Sequence, residues 1–141
     1  MSYFILEGRL QMSTKRIYVD GLARLPAFSH AVVAGDFIFV SGSIGTKPGG
    51  MELVAGGTGP QTTQTLRNIE RILQASGATL ADVVKMNVYL TAIEDFPAMN
   101  MAYIAVMGED PPARITVGKV GFGLAAATVE IDCIAYKPQG S

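Results

Sequence analysis

Cysteine and histidine each occur once in this 141-residue chain, as Cys133 and His30. A lone thiol closes no internal disulfide, and one thiol with one imidazole falls short of the ligand set that zinc requires. Charge is scarce too: Lys, Arg, Asp and Glu together make up 16% of the residues and leave a net charge of −1, where an ordinary soluble domain carries roughly 25% charged residues. The few basic residues are scattered, so nothing gathers the positive stripe a phosphate backbone needs, and nucleic acid is not an expected partner. Long apolar runs are missing as well. Gly, Asp or Ser interrupts each apolar stretch within a few positions, far short of the about 20 residues that span a bilayer, so no membrane association is expected.

What is present in excess is apolar side chain, at 49%. A chain of this length forms one domain, and such a domain buries only about 68% of its surface by itself. A subunit interface is the simplest place for the remainder, and a homo-oligomer is expected. The unpaired thiol fits a reducing, cytoplasmic location. Residues 1–11 contain Glu7 and Arg9 and lack the apolar run and small-residue cleavage site of a secretory signal. Met12-Ser13-Thr14-Lys15 reads as a second start, which makes 1–11 an expected N-terminal extension and 12–141 a single domain.

Along that domain, Ala31-Val32-Val33-Ala34 and Phe37-Ile38-Phe39-Val40 flank Gly35-Asp36, the pattern of a two-residue β-hairpin. The stretch from Thr46 to Gly59 is rich in glycine, carries Pro48 and lacks periodicity, and predicts a long exposed loop with a mobile tip. Between Pro60 and Ser76, Leu66, Ile69, Ile72 and Leu73 recur at helical spacing, with Gly77 as the stop. Val84, Met86, Val88 and Leu90 alternate with polar neighbours, predicting a strand with one buried face. A second helix is predicted after Thr91, Glu94 and Pro97, with Phe96, Asn100, Tyr103, Ile104 and Met107 on one stripe and Gly108 at its end. Strands at about Ala113 to Lys119 and Ala127 to Tyr136 follow the Asp110-Pro111-Pro112 turn. This order implies an α+β fold with both helices on one face of a mixed sheet and the opposite face bare unless another subunit covers it.

Strand alternation sends Arg114 and Thr116 to one side of their strand, and it sends Glu130 and Asp132 away from the apolar side formed by Val129, Ile131, Cys133 and Ala135. If these two strands pair, the Arg114 guanidinium and the Glu130 carboxylate would border one pocket, a fork for a carboxylate beside a group that can deprotonate water. The alternative is a structural ion pair or two solvated side chains. His30 reads as a polar side chain beside the hairpin or as a base, and Cys133 as an inert packed thiol. Asn100, on an otherwise apolar stripe, either ties its helix to a site loop or satisfies backbone groups.

Several blocks then form a familiar series: Gln61-Thr62-Thr63-Gln64-Thr65-Leu66-Arg67-Asn68-Ile69, Val84 to Leu90, Asp95-Phe96 with Asn100 and Tyr103, Pro112-Ala113-Arg114 with Val117, and Val129-Glu130-Ile131 with Ala135. With Ser41-Gly42 after the hairpin, they resemble the Rid (YjgF/UK114) family from about Ala27 to Lys137. The resemblance implies a chorismate-mutase-like α+β fold assembled as a homotrimer with pockets at the subunit clefts. It also implies hydrolysis of 2-aminoacrylate, 2-aminocrotonate or their imine tautomers to a 2-keto acid and ammonia, with neither metal nor organic cofactor. By the same resemblance, Arg114 grips the substrate carboxylate and Glu130 positions the hydrolytic water, while Phe28, Ser41, Gly42, Asn100 and Thr116 fall on substrate-contacting positions. The chain departs from the family pattern at Phe28 and His30, where many members carry a tyrosine and a glutamine. It departs again at Thr116, often a cysteine, and at Val120-Gly121-Phe122-Gly123, which replaces a Leu-Pro step. These departures imply a divergent subfamily with altered substrate preference, or a protein that binds small carboxylates without turning them over. An RNA-cleaving or translation-inhibiting activity, often attached to relatives, is the third reading, and the near-neutral charge argues against it.

Overall fold

The computed structural model describes residues 3–6 and 9–138, with side chains described from Ser13 to Pro138. Strands β1 (Tyr3–Leu6) and β2 (Arg9–Met12) pair only with each other as an antiparallel ladder. The remaining strands are β3 (Thr14–Ile17), β4 (Ala31–Ala34), β5 (Phe37–Ser43), β6 (Val83–Leu90), β7 (Ala113–Val117) and β8 (Val129–Tyr136). They form a six-stranded sheet in the order β3-β4-β5-β8-β6-β7. Helix α1 (Thr58–Ala75) leads from β5 to β6, and α2 (Phe96–Met107) leads from β6 to β7. No helix of the described residues is long and apolar enough to cross a membrane.

This topology explains why both helices share a face. β5 and β6 each run antiparallel to the β8 between them, so they are parallel to one another, and β6 is parallel to β7. Each helix is therefore the crossover of a parallel β-helix-β unit. Both units step across the sheet in the same direction, so right-handed crossovers put both helices on the same side. There α1 and α2 pack against each other and over the sheet. The core holds Leu66, Ile69, Ile72 and Leu73 of α1, Met99 of α2, and Ile38, Met86, Val88, Leu90, Val129, Ile131 and Cys133 of the strands, each at most 2% exposed. Burial of each large aliphatic side chain contributes about 1.5–3 kcal/mol.

Local signals work as the sequence implies in several places. The 35–36 turn closes β4 on β5 with Gly35 at φ 60°. Helix α1 starts two residues before Pro60, which sits in the first turn where its missing N–H costs nothing. It ends with Gly77 at φ 86°, whose amide donates to Gln74 O while Ala78 N donates to Leu73 O, satisfying two terminal carbonyls.

Other expectations are corrected. Strand β3, not anticipated, caps the sheet edge beside β4. Strand β7 ends at Val117, short of Lys119, and β8 begins at Val129. A register shift between Val83 and Lys85 buries Val83 and turns Val84 outward, 45% exposed, although simple alternation counts Val84 among the core residues. On α2, Met99 is buried and Ile104 is 57% exposed, because a helix apolar on most sides leaves the choice of buried stripe to packing. The 46–57 loop is pinned as well as exposed: Thr46 bridges to Leu53, Lys47 pairs with Glu52, and Asn68 donates to the carbonyls of Ile44 and Thr46. The sheet face away from the helices is bare and carries Phe37, Phe39, Tyr136 and Ile115, each more than 40% exposed.

Candidate active site

Arg114 stands on edge strand β7 in register with Met86, so it points toward the helices. There α2 offers Phe96, Asn100 and Tyr103 along one side, at the four- and three-residue steps that align side chains on a helix. The guanidinium lies 5.5 Å from the Phe96 ring centroid and 4.6 Å from that of Tyr103, and Nη1 donates to Asn100 Oδ1 at 2.8 Å. Asn100 thus ties its helix to a side chain on strand β7, rather than to a loop or to backbone as the sequence suggested. The guanidinium has an aromatic bed and one neutral acceptor, with no carboxylate partner among the described residues. Two buried hydroxyls beside it, Tyr103 Oη and Thr116 Oγ1, lack a hydrogen-bond partner. Burial pushes the Tyr103 phenol up, with Arg114 pulling it partly back. Asn100, Tyr103, Met107, Pro112 and Arg114 line a hollow of about 240 Å³.

Glu130 stands on β8 in register with Tyr89, on the bare face. The β5–β8 ladder shifts register between Val40 and Ser43, so Ser41 and Gly42 form an irregularity opposite Asp132, and the Glu130 side chain reaches across to Gly42. A side chain at position 42 would collide with the Glu130 carboxylate, so glycine is what lets that carboxylate lie against β5. No hydrogen bond or ion pair holds Glu130 among the described residues. Burial, and secondarily the negative charge of Asp132, raise its pKa above the usual carboxylate value. Asp132 is occupied, accepting from Asn87 Nδ2 at 2.6 Å and from Tyr89 Oη at 3.0 Å.

Glu130 borders a cavity of about 410 Å³, together with Phe28, His30, Ser41 and Gly42. His30 is 4% exposed, accepts from Val19 N at Nδ1 (2.9 Å) and meets Ala23 O at Nε2 (3.0 Å). Both ring nitrogens are engaged, so His30 pins the 19–23 segment as a wall of the cavity and is not placed as a base. The Ser41 hydroxyl donates to Ser29 O at 2.6 Å and fixes the Phe28 segment. Cys133 is buried in the core with its thiol pushed up to about 12, chiefly by burial, which leaves it unreactive.

The predicted residues therefore fall into two groups: Arg114, Asn100 and Thr116 on the helix side, and Glu130, Phe28, Ser41 and Gly42 on the other. The expectation that Arg114 and Glu130 come from paired strands is overturned, since β6 lies between β7 and β8. Neighbours in sequence are usually neighbours in a sheet. Here β8 instead fills the slot between β5 and β6, where both of its edges are hydrogen-bonded. Sequence reasoning also missed the anchoring role of Gln61, which accepts from Thr128 N and donates to Ala126 O, fixing the chain before β8. Its place among polar residues on the inner side of α1 was the available signal.

The mixed sheet with both helices on one face is that of the YjgF-like α+β domains. The chain belongs to the endoribonuclease L-PSP family, the Rid (YjgF/UK114) family, whose model matches residues 20–137. A RutC family protein of Pyrococcus horikoshii is 43% identical over 110 residues, 78% of this chain and 86% of that protein. A protein of Dermatophagoides farinae named 2-iminobutanoate/2-iminopropanoate deaminase is 38% identical over 109 residues, 76% of this chain and 85% of its own length. The crystal structure of RidA from an Antarctic Psychrobacter superimposes with a TM-score of 0.80 at 37% identity, covering 86% of this chain and 98% of that one.

Proposed function

We propose that this protein is a hydrolytic deaminase of enamines and imines of 2-keto acids, 2-aminoacrylate/2-iminopropanoate and 2-iminobutanoate among them. It works as a homotrimer with its sites at subunit interfaces, using neither metal nor organic cofactor. The observation that carries this reading is the pair of uncompensated charges: a guanidinium clamped on α2 with no carboxylate, and a half-buried carboxylate with no cation, on opposite faces of one sheet. A cyclic assembly that sets the β7 edge of one protomer, where Arg114 stands, against the bare face of the next joins the Arg114 half of the first to the Glu130 half of the second.

In such a cleft the guanidinium grips the substrate carboxylate through two parallel hydrogen bonds and holds the imine carbon beside Glu130. Glu130 takes a proton from water as oxygen adds to that carbon. It passes that proton to nitrogen to give the carbinolamine, then carries the carbinolamine's hydroxyl proton to nitrogen as the C=O forms and the C–N bond breaks, so R–C(=NH)–COO⁻ and water give R–CO–COO⁻ and ammonia. A carboxylate with a raised pKa suits this exchange, because it is the stronger base toward water and its protonated form survives nearer neutral pH until nitrogen takes the proton.

The test is to generate imines from amino acids with an oxidase and to follow ammonia release, or the loss of semicarbazide-trapped imine. Wild type accelerates both, and Arg114→Ala does not. Carboxylate binding without any acceleration would leave a non-catalytic carboxylate binder, the alternative use of the same guanidinium. Steeply salt-dependent RNA binding would favour the endoribonuclease activity that the family's description carries, for which a net charge of −1 offers little.

A further inference from the structure

The cavity beside Glu130 is larger and more apolar than a three-carbon substrate needs. Its volume is about 410 Å³, within the about 300–1,000 Å³ of sites that hold drug-sized ligands. A three-carbon imino acid displaces roughly three waters, or about 90 Å³ at about 30 Å³ each. Leu22, Leu25, Phe28, Met51, Phe122 and Leu124 line the cavity.

The polar groups around it are largely spoken for. His30 and Ser41 are bonded to the chain's own backbone, and Asn68 donates to Ile44 O and Thr46 O. Arg24 donates to Phe28 O at 3.1 Å and lies over the Tyr18 ring at 4.6 Å. Glu130 and Arg24 are the charged side chains at the cavity, neither ion-paired among the described residues, and the six apolar side chains named above make most of the remaining wall apolar.

Phe122 belongs to the segment where this sequence departs from the family pattern and Leu124 directly follows it, and the segment is held in place. Val120 N donates to Leu90 O, Ala127 N to Leu124 O, and Gln61 to Ala126 O. Flanked by Gly121 and Gly123, Phe122 reaches the cavity from a loop anchored at both ends.

We propose that this cavity receives the substrate side chain, and that the preferred substrates are imines of 2-keto acids with bulky apolar side chains, such as those formed from leucine or phenylalanine. This rests on the deaminase reading above. With the carboxylate on the guanidinium and the imine carbon beside Glu130, the third substituent of that carbon enters the apolar cavity. Each added carbon buried there is worth about tenfold or more in discrimination.

The experiment compares kcat/KM of the wild-type protein for oxidase-generated imines of leucine, phenylalanine and alanine, with calorimetric titration of 4-methyl-2-oxopentanoate and pyruvate as a readout independent of turnover. The expected result is a preference of about 1,000-fold for the leucine over the alanine imine, three added carbons at about tenfold each, with the longer keto acid bound more tightly. Phe122→Ala and Leu25→Ala each reduce that ratio. Hydrolysis of the alanine imine as fast as the leucine imine, with equal binding of the two keto acids, would overturn this inference and leave the deaminase reading standing. Hydrolysis of none of the imines would overturn both.

Discussion

Arg114 and Glu130 lie on opposite faces of one sheet, Arg114 beside Met86 toward the helices and Glu130 beside Tyr89 on the bare side, with β6 between their strands. A single chain therefore cannot close one substrate between them. If copies complete each other's sites, Arg114→Ala and Glu130→Gln are each inactive alone. After subunit exchange in an equal mixture, about a quarter of the wild-type activity returns, because a cyclic interface then joins an intact arginine half to an intact glutamate half at that frequency. Mixing after brief mild denaturation and assaying imine hydrolysis checks this; no recovery despite proven exchange would place both groups in one chain's site.

The Arg114 clamp predicts that charge alone is insufficient. Arg114→Lys keeps the cation but loses both the fork and the stacking on Phe96 and Tyr103, so kcat/KM falls by about 100-fold. A variant within a few-fold of wild type would show that the site needs only a point charge.

Tyr103 carries a buried hydroxyl without a partner. Leaving such a group unsatisfied costs about 1–3 kcal/mol, so Tyr103→Phe, which keeps the ring under Arg114, raises stability by about 1 kcal/mol. Thermal melts at matched protein concentration measure the gain, since association also shifts the midpoint.

For Glu130 the sign follows from a folded pKa raised above 4.5. As pH rises from the unfolded value to the folded one, the unfolded chain binds fewer protons, so stability falls across that window. Glu130→Gln escapes this loss. It is more stable than wild type at neutral pH, and the advantage disappears near about pH 4, where both side chains are uncharged. Denaturant titrations at the two pH values check it; an advantage independent of pH would point to packing.

Gly42→Ala places a methyl group against the Glu130 carboxylate. The carboxylate is the free end of a flexible side chain and moves aside at little cost in stability, and once displaced it no longer orients water. Activity therefore drops far more than the melting temperature does. Unaltered kinetics would mean that the position of Glu130 against β5 is immaterial.

Much of the site was legible before any coordinates. Period-two alternation put Arg114 with Thr116 and Glu130 with Asp132, and the helical stripe of Phe96, Asn100 and Tyr103 is the bed on which Arg114 lies. Less legible were the wall residues Leu22, Leu25 and Met51, which come from irregular segments where no periodicity marks a facing side.

The sequence alone determined that Arg114 and Thr116, and Glu130 and Asp132, share a side of their own strands, that the 35–36 turn closes a hairpin and glycines stop both helices, and that the chain is rich in apolar side chains. These are local or compositional matters, fixed by backbone geometry and by side-chain chemistry. Only the tertiary structure decided that β8 lies between β5 and β6, that register shifts at 83–85 and 40–43 re-aim their strands, and that Arg114 and Glu130 face opposite ways. Alternation relates neighbours within one strand, whereas the relation between two strands depends on which edges pair and in what register. Distant segments settle that by competing for hydrogen bonds and burial in the one fold they share.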